Sequence, residues 1–510
     1  MSAFAVDRRN FLRTGASVIG GLLIGCVLPE RRKLAADTST ASNKLNAFVL
    51  VGNNDVVTLY IHKAEMGQGT VTSLSMLLAE ELECDWSKIR TEFPGVDRAY
   101  GGFQGVVGSQ SIRSSYVSLR QAGAQAREML IAAAAQKWGV DPSVCRAENS
   151  KVINTATGDE LSYGSLADAA SKIPPPTNIA LKEPAQFKIV GKSRKRLDTP
   201  GKVDGSITFG IDVRVPDMLY AVVERCPVFG GSVASFDDSK AKTTPGVKKV
   251  VQISNGVAVI AENTWAAMEG RRKLVVQWDE GKVAAHSTPD ITKSFADAVA
   301  EGAKPLRTVG DPAVALASAS KKIDAVYQTP YLAHAPMEPL NCTVWVRPGS
   351  VDVWASTQMQ SGAQQIAAQK TGLAAAKVQI HSQYMGGGFG RRGGVDYIGE
   401  AVEVAQTIDV PVKVTWSRED DMRHDTYRPA SYCKFAGGVD AEGWPVAWTA
   451  SIACPSFAGA NTSTEGVRDA AYTIPPFRSG LSRHQSRYPG ELLAVGGILA
   501  ELLLRRVVPR

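Results

Sequence analysis

The sequence predicts an α+β (mixed α/β) fold made of several sheets. Two observations carry this expectation. Apolar residues recur at helical spacing in a few well-separated segments. Between those segments stand short Val- and Ile-rich runs bounded by Gly, Pro and Asp, the pattern of strands and turns. No internal repeat or low-complexity tract competes with this reading, and at roughly 150 residues per domain a chain of this length holds about three domains.

The elements follow in order. Residues 36–46 are small and polar and read as a linker. Ala47 to His62 alternates loosely around Asn53-Asn54-Asp55, a turn between two short strands. Val71, Leu74, Leu77, Leu78 and Leu82 define a first helix, and an Ala-rich second helix is expected from Ser111 to Trp138, closing at Gly139. After Pro174-Pro175-Pro176 comes a β-rich module, residues 190–282. Its strands are expected at Ile207 to Val213, Leu219 to Arg225, Val247 to Ile253, Val257 to Ala261 and Leu274 to Trp278, with a helix from Trp265 to Leu274. Residues 283–324, rich in Ala, Lys and Ser, read as helical. Strands then return at Asn341 to Val346, Val351 to Thr357, Val378 to Tyr384 and Val412 to Trp416, with helices at Gly362 to Thr371 and Asp396 to Thr407 between them.

Composition narrows the function classes. With 44% hydrophobic and 21% charged residues the chain falls outside the disordered and collagen-like classes. More than half of the +7 formal charge lies in residues 1–33, where Arg8, Arg9, Arg13, Arg31, Arg32 and Lys33 oppose only Asp7 and Glu30. The nearly neutral remainder argues against a nucleic-acid partner. Cys26, Cys84, Cys145, Cys226, Cys342, Cys433 and Cys454 form no CxxC pair, so zinc and iron–sulfur ligation have no support, and the odd count argues against a full disulfide framework. Arg8-Arg9-Asn10-Phe11-Leu12 before the apolar stretch Ala16 to Leu28 resembles a twin-arginine export signal. Leu23-Ile24-Gly25-Cys26 also resembles a lipobox, although Cys26 equally fills an apolar position. Either reading places the protein in the periplasm or cell envelope, with membrane anchoring as an option.

Three segments have the composition of a ligand cradle. Met385-Gly386-Gly387-Gly388-Phe389-Gly390-Arg391-Arg392 lies between a strand and a helix, and its glycines expose backbone N–H groups. It is neither a Walker A loop nor a dinucleotide fingerprint, and taken alone it could be a glycine-rich hairpin turn. Glu65-Met66-Gly67-Gln68-Gly69-Thr70 opens the first helix. Thr70 or Thr72 is expected to cap it, with outward N–H groups that would stabilise a phosphate. Gly108-Ser109-Gln110-Ser111 repeats that design before the second helix. Two such helix starts imply one ligand with an extended phosphate tail. Gln358, at a strand end, is placed to donate into a pocket. His334 to Glu338 reads as a structural turn rather than a metal site, and Arg418-Glu419-Asp420-Asp421-Met422 as a solvated face. No Gly-x-Ser-x-Gly elbow or His-Glu-x-x-His motif occurs.

Together these motifs resemble the molybdopterin-binding large subunit of the xanthine dehydrogenase and aldehyde oxidase family, in its isoquinoline 1-oxidoreductase beta-subunit type. The order holds to about Phe477, through Arg196-Leu197-Asp198, Lys202 to Gly205, Asp212, Trp278-Asp279, His334 to Pro339, Thr357-Gln358, Met385 to Gly390, Arg418 to Met422 and Arg428-Pro429. The resemblance implies a signal and linker (1–35), an N-terminal molybdopterin-binding segment (36–189), a hammerhead module (190–282), a linker (283–324) and a first molybdopterin-binding domain (325–478). It also implies the cofactor, molybdenum-molybdopterin in its cytosine dinucleotide form, with the metal held by the pterin dithiolene and not by protein ligands. Gly388, Phe389, Gly390 and Arg391 would lie at the molybdenum and pterin. Gln358 would hydrogen-bond near the metal. Gly67, Gln68, Gly69 and Thr70, with Gly108, Ser109 and Ser111, would hold the phosphate or nucleotide. The family hydroxylates with water as oxygen source and passes electrons to a small iron–sulfur (2Fe-2S) subunit, in some members onward to a c-type cytochrome. Arg391-Arg392 replaces the Gly-Lys-Glu of xanthine-type members, so N-heteroaromatic or aldehyde substrates fit better than purines.

The resemblance stops after Arg478. The family's catalytic glutamate lies beyond that point, so no catalytic residue is expected within this sequence, and the C-terminal part of the fold is expected to be missing. Back-translating His484 to Arg510 in permitted codons and dropping one nucleotide gives TNPGIPVSYWRSVGSSQNSFFVESFL, which reads like the family's continuation. Residues 479–510 therefore read as an out-of-frame tail. The alternative is a genuine apolar helix, Glu491 to Leu504. A catalytically inactive fragment is accordingly the second functional expectation, and exposed apolar surface is expected where the absent part would pack.

Overall fold

A computed structural model describes residues 44–455, 468, 472–474 and 476–484. The export-signal and lipobox expectations, and most of the tail, lie outside these residues. Strands β1 (Val49–Val51) and β2 (Val57–Tyr60) form the expected hairpin, joined by β3 (Ile89–Glu92) in parallel with β2. Helices α1 (Thr70–Leu82) and α2 (Ser111–Trp138) pack against this sheet. The apolar stripe of α1 supplies Leu74, Leu77, Leu78 and Leu82 to their shared core. Gly123 lets α2 approach closely, because a Cβ there would lie 2.4 Å from the Leu78 carbonyl oxygen. Gly139 ends α2 in the left-handed conformation, as its position predicts.

The β-rich module contributes β4 (Leu219–Arg225), β5 (Ser232–Asp237), β6 (Val247–Ile253), β7 (Gly256–Ala261), helix α3 (Thr264–Arg272) and β8 (Val275–Asp279). Ile207 to Val213 is not a strand. Its Gly210–Asp212 stretch is a 3₁₀ turn, and Glu338 Oε1 and Ser356 Oγ accept the N–H groups of Ile211 and Gly210. Residues 283–324 are only partly helical. After α4 (Thr288–Ala300) the chain forms β9 (Lys304–Val309), then a short helix Pro312–Ser318, then β10 (Lys321–Thr329).

The third region comprises β11 (Asn341–Arg347), β12 (Ser350–Ala355), α5 (Gln360–Thr371), β13 (Val378–Ser382), α6 (Asp396–Ala405), β14 (Val412–Thr415) and α7 (Arg418–Arg423). Strands β15 (Ser431–Val439), β16 (Pro445–Pro455) and β17 (Phe477–His484) follow. β17 buries Leu481.

A seven-stranded sheet of order β13-β12-β11-β14-β4-β7-β6 joins the β-rich module to the later region through the parallel pair β14–β4, with Val412 opposite Leu219 and Val414 opposite Ala221. Helices α5 and α6 cover this sheet, and Tyr397, Ile398 and Val402 fill the space between. A second, five-stranded sheet of order β9-β17-β16-β15-β10 carries its own core around Phe435, Trp448 and Phe477. No described helix is long and apolar enough to cross a membrane.

Candidate functional site

Gln358, just after β12, ties the glycine loop to Val106, which lies two residues before Gly108, and Met66 approaches that loop at Gly388. The Gln358 side chain is buried. Its Nε2 donates to the Val106 carbonyl (3.0 Å), and its Oε1 accepts from the Gly390 N–H (3.0 Å). Its backbone carbonyl accepts from the Val106 N–H (2.8 Å), and its own N–H donates to the Arg392 carbonyl (2.9 Å). An amide carries two donors, so one Nε2 proton remains beyond the bond to Val106.

The loop from Met385 to Gly390 holds a shape that side chains would prevent. Gly387 and Gly390 sit at φ 91° and 105°, and Phe389 at 53°. A Cβ on Gly388 would lie 2.6 Å from Gln358 Oε1 and 2.9 Å from Met66 Sδ. On Gly386 it would lie 2.5 Å from the Glu338 Cβ. Glu338 Oε2 accepts the Gly386 N–H at 2.8 Å, so the segment His334 to Glu338 supports the loop, consistent with a structural turn. Phe389 projects outward, 53% exposed, at the loop's tip.

Arg391 and Arg392 lie beneath that loop and are fully buried. Arg392 donates to the carbonyls of Gly387 (3.0 Å), Ser356 (3.0 Å) and Glu338 (2.7 Å), and pairs with the Glu338 carboxylate at 3.1 Å. Arg391 donates to both Asp396 oxygens (2.8 and 2.7 Å) and lies 2.9 Å from Asp425. Burial alone would lower the Arg391 guanidinium, but Asp396 outweighs it and holds it above its ordinary range. The Arg391 side chain, among the expected cofactor residues of this loop, is buried on internal partners. Its guanidinium is bound to two carboxylates and supports the loop from within.

The Glu65 to Thr70 segment departs from expectation in an informative way. Neither Thr70 nor Thr72 caps α1. Gly69 occupies the N-cap position in the left-handed conformation, and Thr70 Oγ1 donates to the Ala64 carbonyl (3.1 Å). The buried Glu65 carboxylate takes the helix-start donors itself. Its Oε1 accepts from Gly67 N–H (2.8 Å) and Gly69 N–H (2.9 Å), and its Oε2 from Val71 N–H (3.0 Å). Arg196 Nη2 stands 3.2 Å from the same carboxylate, and Arg196 Nη1 donates to the Gly67 carbonyl. Gln68 closes the turn, accepting from Met66 N–H (2.7 Å) and donating to the Ala64 carbonyl (2.9 Å). The anion at this helix start is thus an internal side chain. A carboxylate four residues before the N-cap was the available signal.

The second helix start is open. Gln110 caps α2 without a side-chain bond, its first turn carries no acid, and the preceding Gly108 and Ser109 are exposed with φ near +55°. Ser111 is half-buried at the first helical position. Under this segment the buried Lys63 Nζ donates to the Gly105 carbonyl (3.1 Å), and Ser115 Oγ meets His62 Nε2 at 3.2 Å. Burial, helped by Lys63, holds the His62 imidazole down to about 4, so it is neutral at neutral pH.

The acidic run at α7 is not a plain solvated face. Arg418 donates to the Pro336 and Met337 carbonyls (2.5 and 3.0 Å), and Asp421 is fully buried against Arg418. Asp425 holds the N–H and Nδ1 of His334. These are the groups that sequence reasoning undervalued. Among the described residues no group of three or more His, Cys, Asp or Glu is arranged to hold a metal ion. The apolar side chains of Leu332, Met337, Phe389 and Met422 are exposed. Two of these positions are tied together through Arg428, whose backbone pairs with Leu332 and whose side chain donates to the Phe389 carbonyl.

Comparison with known proteins gives consistent results. Two family models, each described as a molybdopterin cofactor-binding domain, match residues 21–215 and 297–473. The beta chain of isoquinoline 1-oxidoreductase from Brevundimonas diminuta is 30% identical over 85% of this chain and 62% of its own. A membrane-bound aldehyde dehydrogenase (pyrroloquinoline-quinone) of Gluconacetobacter polyoxogenes is 29% identical over 86% and 59%. A nicotinate dehydrogenase component of Pseudomonas putida is 29% identical over 81% and 35%. The chain therefore spans about 60% of the first two relatives and about a third of the other. Among solved structures, the aldehyde oxidoreductase from Desulfovibrio gigas shares the fold, with a TM-score of 0.51 and 18% identity over 68% of this chain and 45% of that one.

Proposed function

The chain belongs to the molybdopterin-binding large subunits of the xanthine dehydrogenase and aldehyde oxidase family, and from that premise we propose that it is the cofactor-binding part of a molybdenum hydroxylase. The reaction we infer is hydroxylation of N-heteroaromatic compounds or oxidation of aldehydes, with water as oxygen source. The observation that carries the reading is that the Gln358 amide ties the glycine loop, at Gly390, to Val106, two residues before Gly108, while Met66 closes on the same loop at Gly388.

The residues fit such a cofactor. At Gly388 any side chain would collide with Gln358 and Met66, so the loop offers a bare backbone wall. Gly388, Phe389, Gly390 and the remaining Gln358 proton would hold the pterin side. The open first turn of α2, with Gly108, Ser109 and Ser111, would take the phosphate. Gly67 to Thr70 would line the site without donating from Gly67 or Gly69, since Glu65 already accepts from them. Bound there, the cofactor supplies the redox-active metal and the activated oxygen. The chain's own work is to orient it. Arg392 fixes the loop from below through three carbonyls, and Glu338 fixes it at Gly386.

The substrate class rests on the relatives named for isoquinoline, nicotinate and aldehydes. The cytosine dinucleotide form of the cofactor, a 2Fe-2S partner, a c-type cytochrome acceptor and twin-arginine export to the periplasm complete the proposal. The test is metal and nucleotide analysis of the purified chain from a host that makes the cofactor. We expect close to one molybdenum and one released cytidine nucleotide per chain, both falling severalfold in Gln358→Ala. A wild-type chain without molybdenum would overturn the reading. Molybdenum without turnover of isoquinoline or aromatic aldehydes would favour the inactive-fragment alternative.

A further inference from the structure

A cavity of about 670 Å³ lies on the other face of α7 from the glycine loop. Asp420, Arg423 and His424 line it, while Arg418 and Asp421 of the same helix face the segment under the loop. No residue of the Gln358 junction contributes to it. Its volume is typical of a small-molecule site.

The walls sort into committed and uncommitted groups. Arg225 is buried against Glu400 (2.5 Å) and Asp420 (3.7 Å), and Arg271 pairs with Asp420 (2.7 Å) and Glu224 (3.6 Å). Those arginines are neutralised internally. Burial and then Arg225 hold the His424 imidazole down to about 4, so it adds no charge at neutral pH. Arg423 is exposed and makes no ion pair among the described residues. Arg272, the remaining cation of the lining, is paired with Glu269, so Arg423 is the cation the cavity leaves without an ion pair among the described residues. The apolar wall is aromatic. Phe229 meets Tyr427 edge-on at 5.6 Å and His424 at 6.3 Å, and Trp278 lines the same space. Tyr427 is held in place, its hydroxyl donating to the Met422 and Arg423 carbonyls (2.9 and 3.0 Å).

We propose that this cavity binds a planar aromatic carboxylate, its ring against Phe229, Tyr427 and Trp278 and its carboxylate on Arg423. Aromatic walls favour a flat ring, and a guanidinium presents paired donors to a carboxylate. One available cation beside the acids Glu224 and Glu419 matches a monoanion and disfavours a phosphate dianion. The site is independent of the cofactor assignment.

The test is calorimetric titration of the full chain with 1-naphthoate, acetate and 1-naphthalenemethanol. We expect one saturable site for 1-naphthoate, none for acetate and weaker binding of the alcohol. Arg423→Ala and Phe229→Ala should each weaken naphthoate at least tenfold, Arg423→Lys less, and Phe389→Ala not at all. Thermal melts confirm that each variant is folded, and exposed Arg423 is safe to change on that score. Absence of saturation, or equal affinity in Arg423→Ala, would overturn the proposal. Loss in Phe389→Ala would also overturn it, by placing the ligand at the glycine loop.

Discussion

Gly388 in the glycine loop and Asp421 in α7 each support a prediction about one side chain. Adding a methyl at Gly388 forces it against Gln358 Oε1 and Met66 Sδ, where the ideal distances are 2.6 and 2.9 Å. Gly388→Ala should therefore cost about 1–3 kcal/mol, read as a lowered unfolding midpoint, and should reduce molybdenum content more than it reduces stability. Asp421 is a different case. Burial raises its carboxyl to about 6, against the pull of Arg418. An acid whose folded pKa exceeds its unfolded one binds protons better in the fold. Its contribution therefore favours the folded state below about 4 and is lost as pH rises to about 6. The loss is at most about 3 kcal/mol. Urea midpoints of Asp421→Asn against wild type should converge near pH 4 and separate in the variant's favour above pH 6. Equal midpoints at both ends would refute this.

At the scale of elements, α1 shows how a helix start is satisfied from within. Two N–H groups at the helix start, those of Gly69 and Val71, which the helix leaves without partners, go to the carboxylate of Glu65, together with that of Gly67 just before the helix. Removing the carboxylate in Glu65→Ala should destabilise the chain by about 2–4 kcal/mol, measured by urea unfolding with unchanged slope. Amide exchange should accelerate first at Gly67, Gly69 and Val71. The contrast with α2 is local. Its N-cap, Gln110, makes no side-chain bond, and Gly108 and Ser109 before it are exposed. Spacing alone predicted both helices and made both starts look alike. Which one stays open depends on where one side chain, Glu65, folds back, and periodicity does not register that. The same holds at α7. A run of Arg, Glu and Asp reads as solvated surface, yet in the fold Arg418 sits on two carbonyls and Asp420 on Arg271.

For the whole molecule, the decisive contact is the parallel pair β14–β4, which makes the β-rich module part of the sheet formed by β11 to β14. Residues 190–282 expressed alone would expose the β4 edge that β14 covers, and an uncovered edge is prone to pairing with other chains. We expect that fragment to be unfolded or aggregated by circular dichroism and size-exclusion chromatography, and a dispersed monomeric spectrum would contradict the shared sheet. Local pattern determined much of this protein. The apolar periodicity of Val71 to Leu82 and Ser111 to Trp138, the strands from Asn341 to Trp416, and the ordered glycine motifs that carry the family resemblance are all properties of neighbouring residues, and neighbours in sequence set them. Tertiary structure alone decided the rest: the merging of two segments into seven strands, the strand at Phe477–His484, the meeting of Val106, Gly390 and Gln358, and the inward turn of Arg391. Those depend on contacts between residues far apart in the chain. Their energies come from burial and from pairing charges removed from water, which no local window of sequence contains.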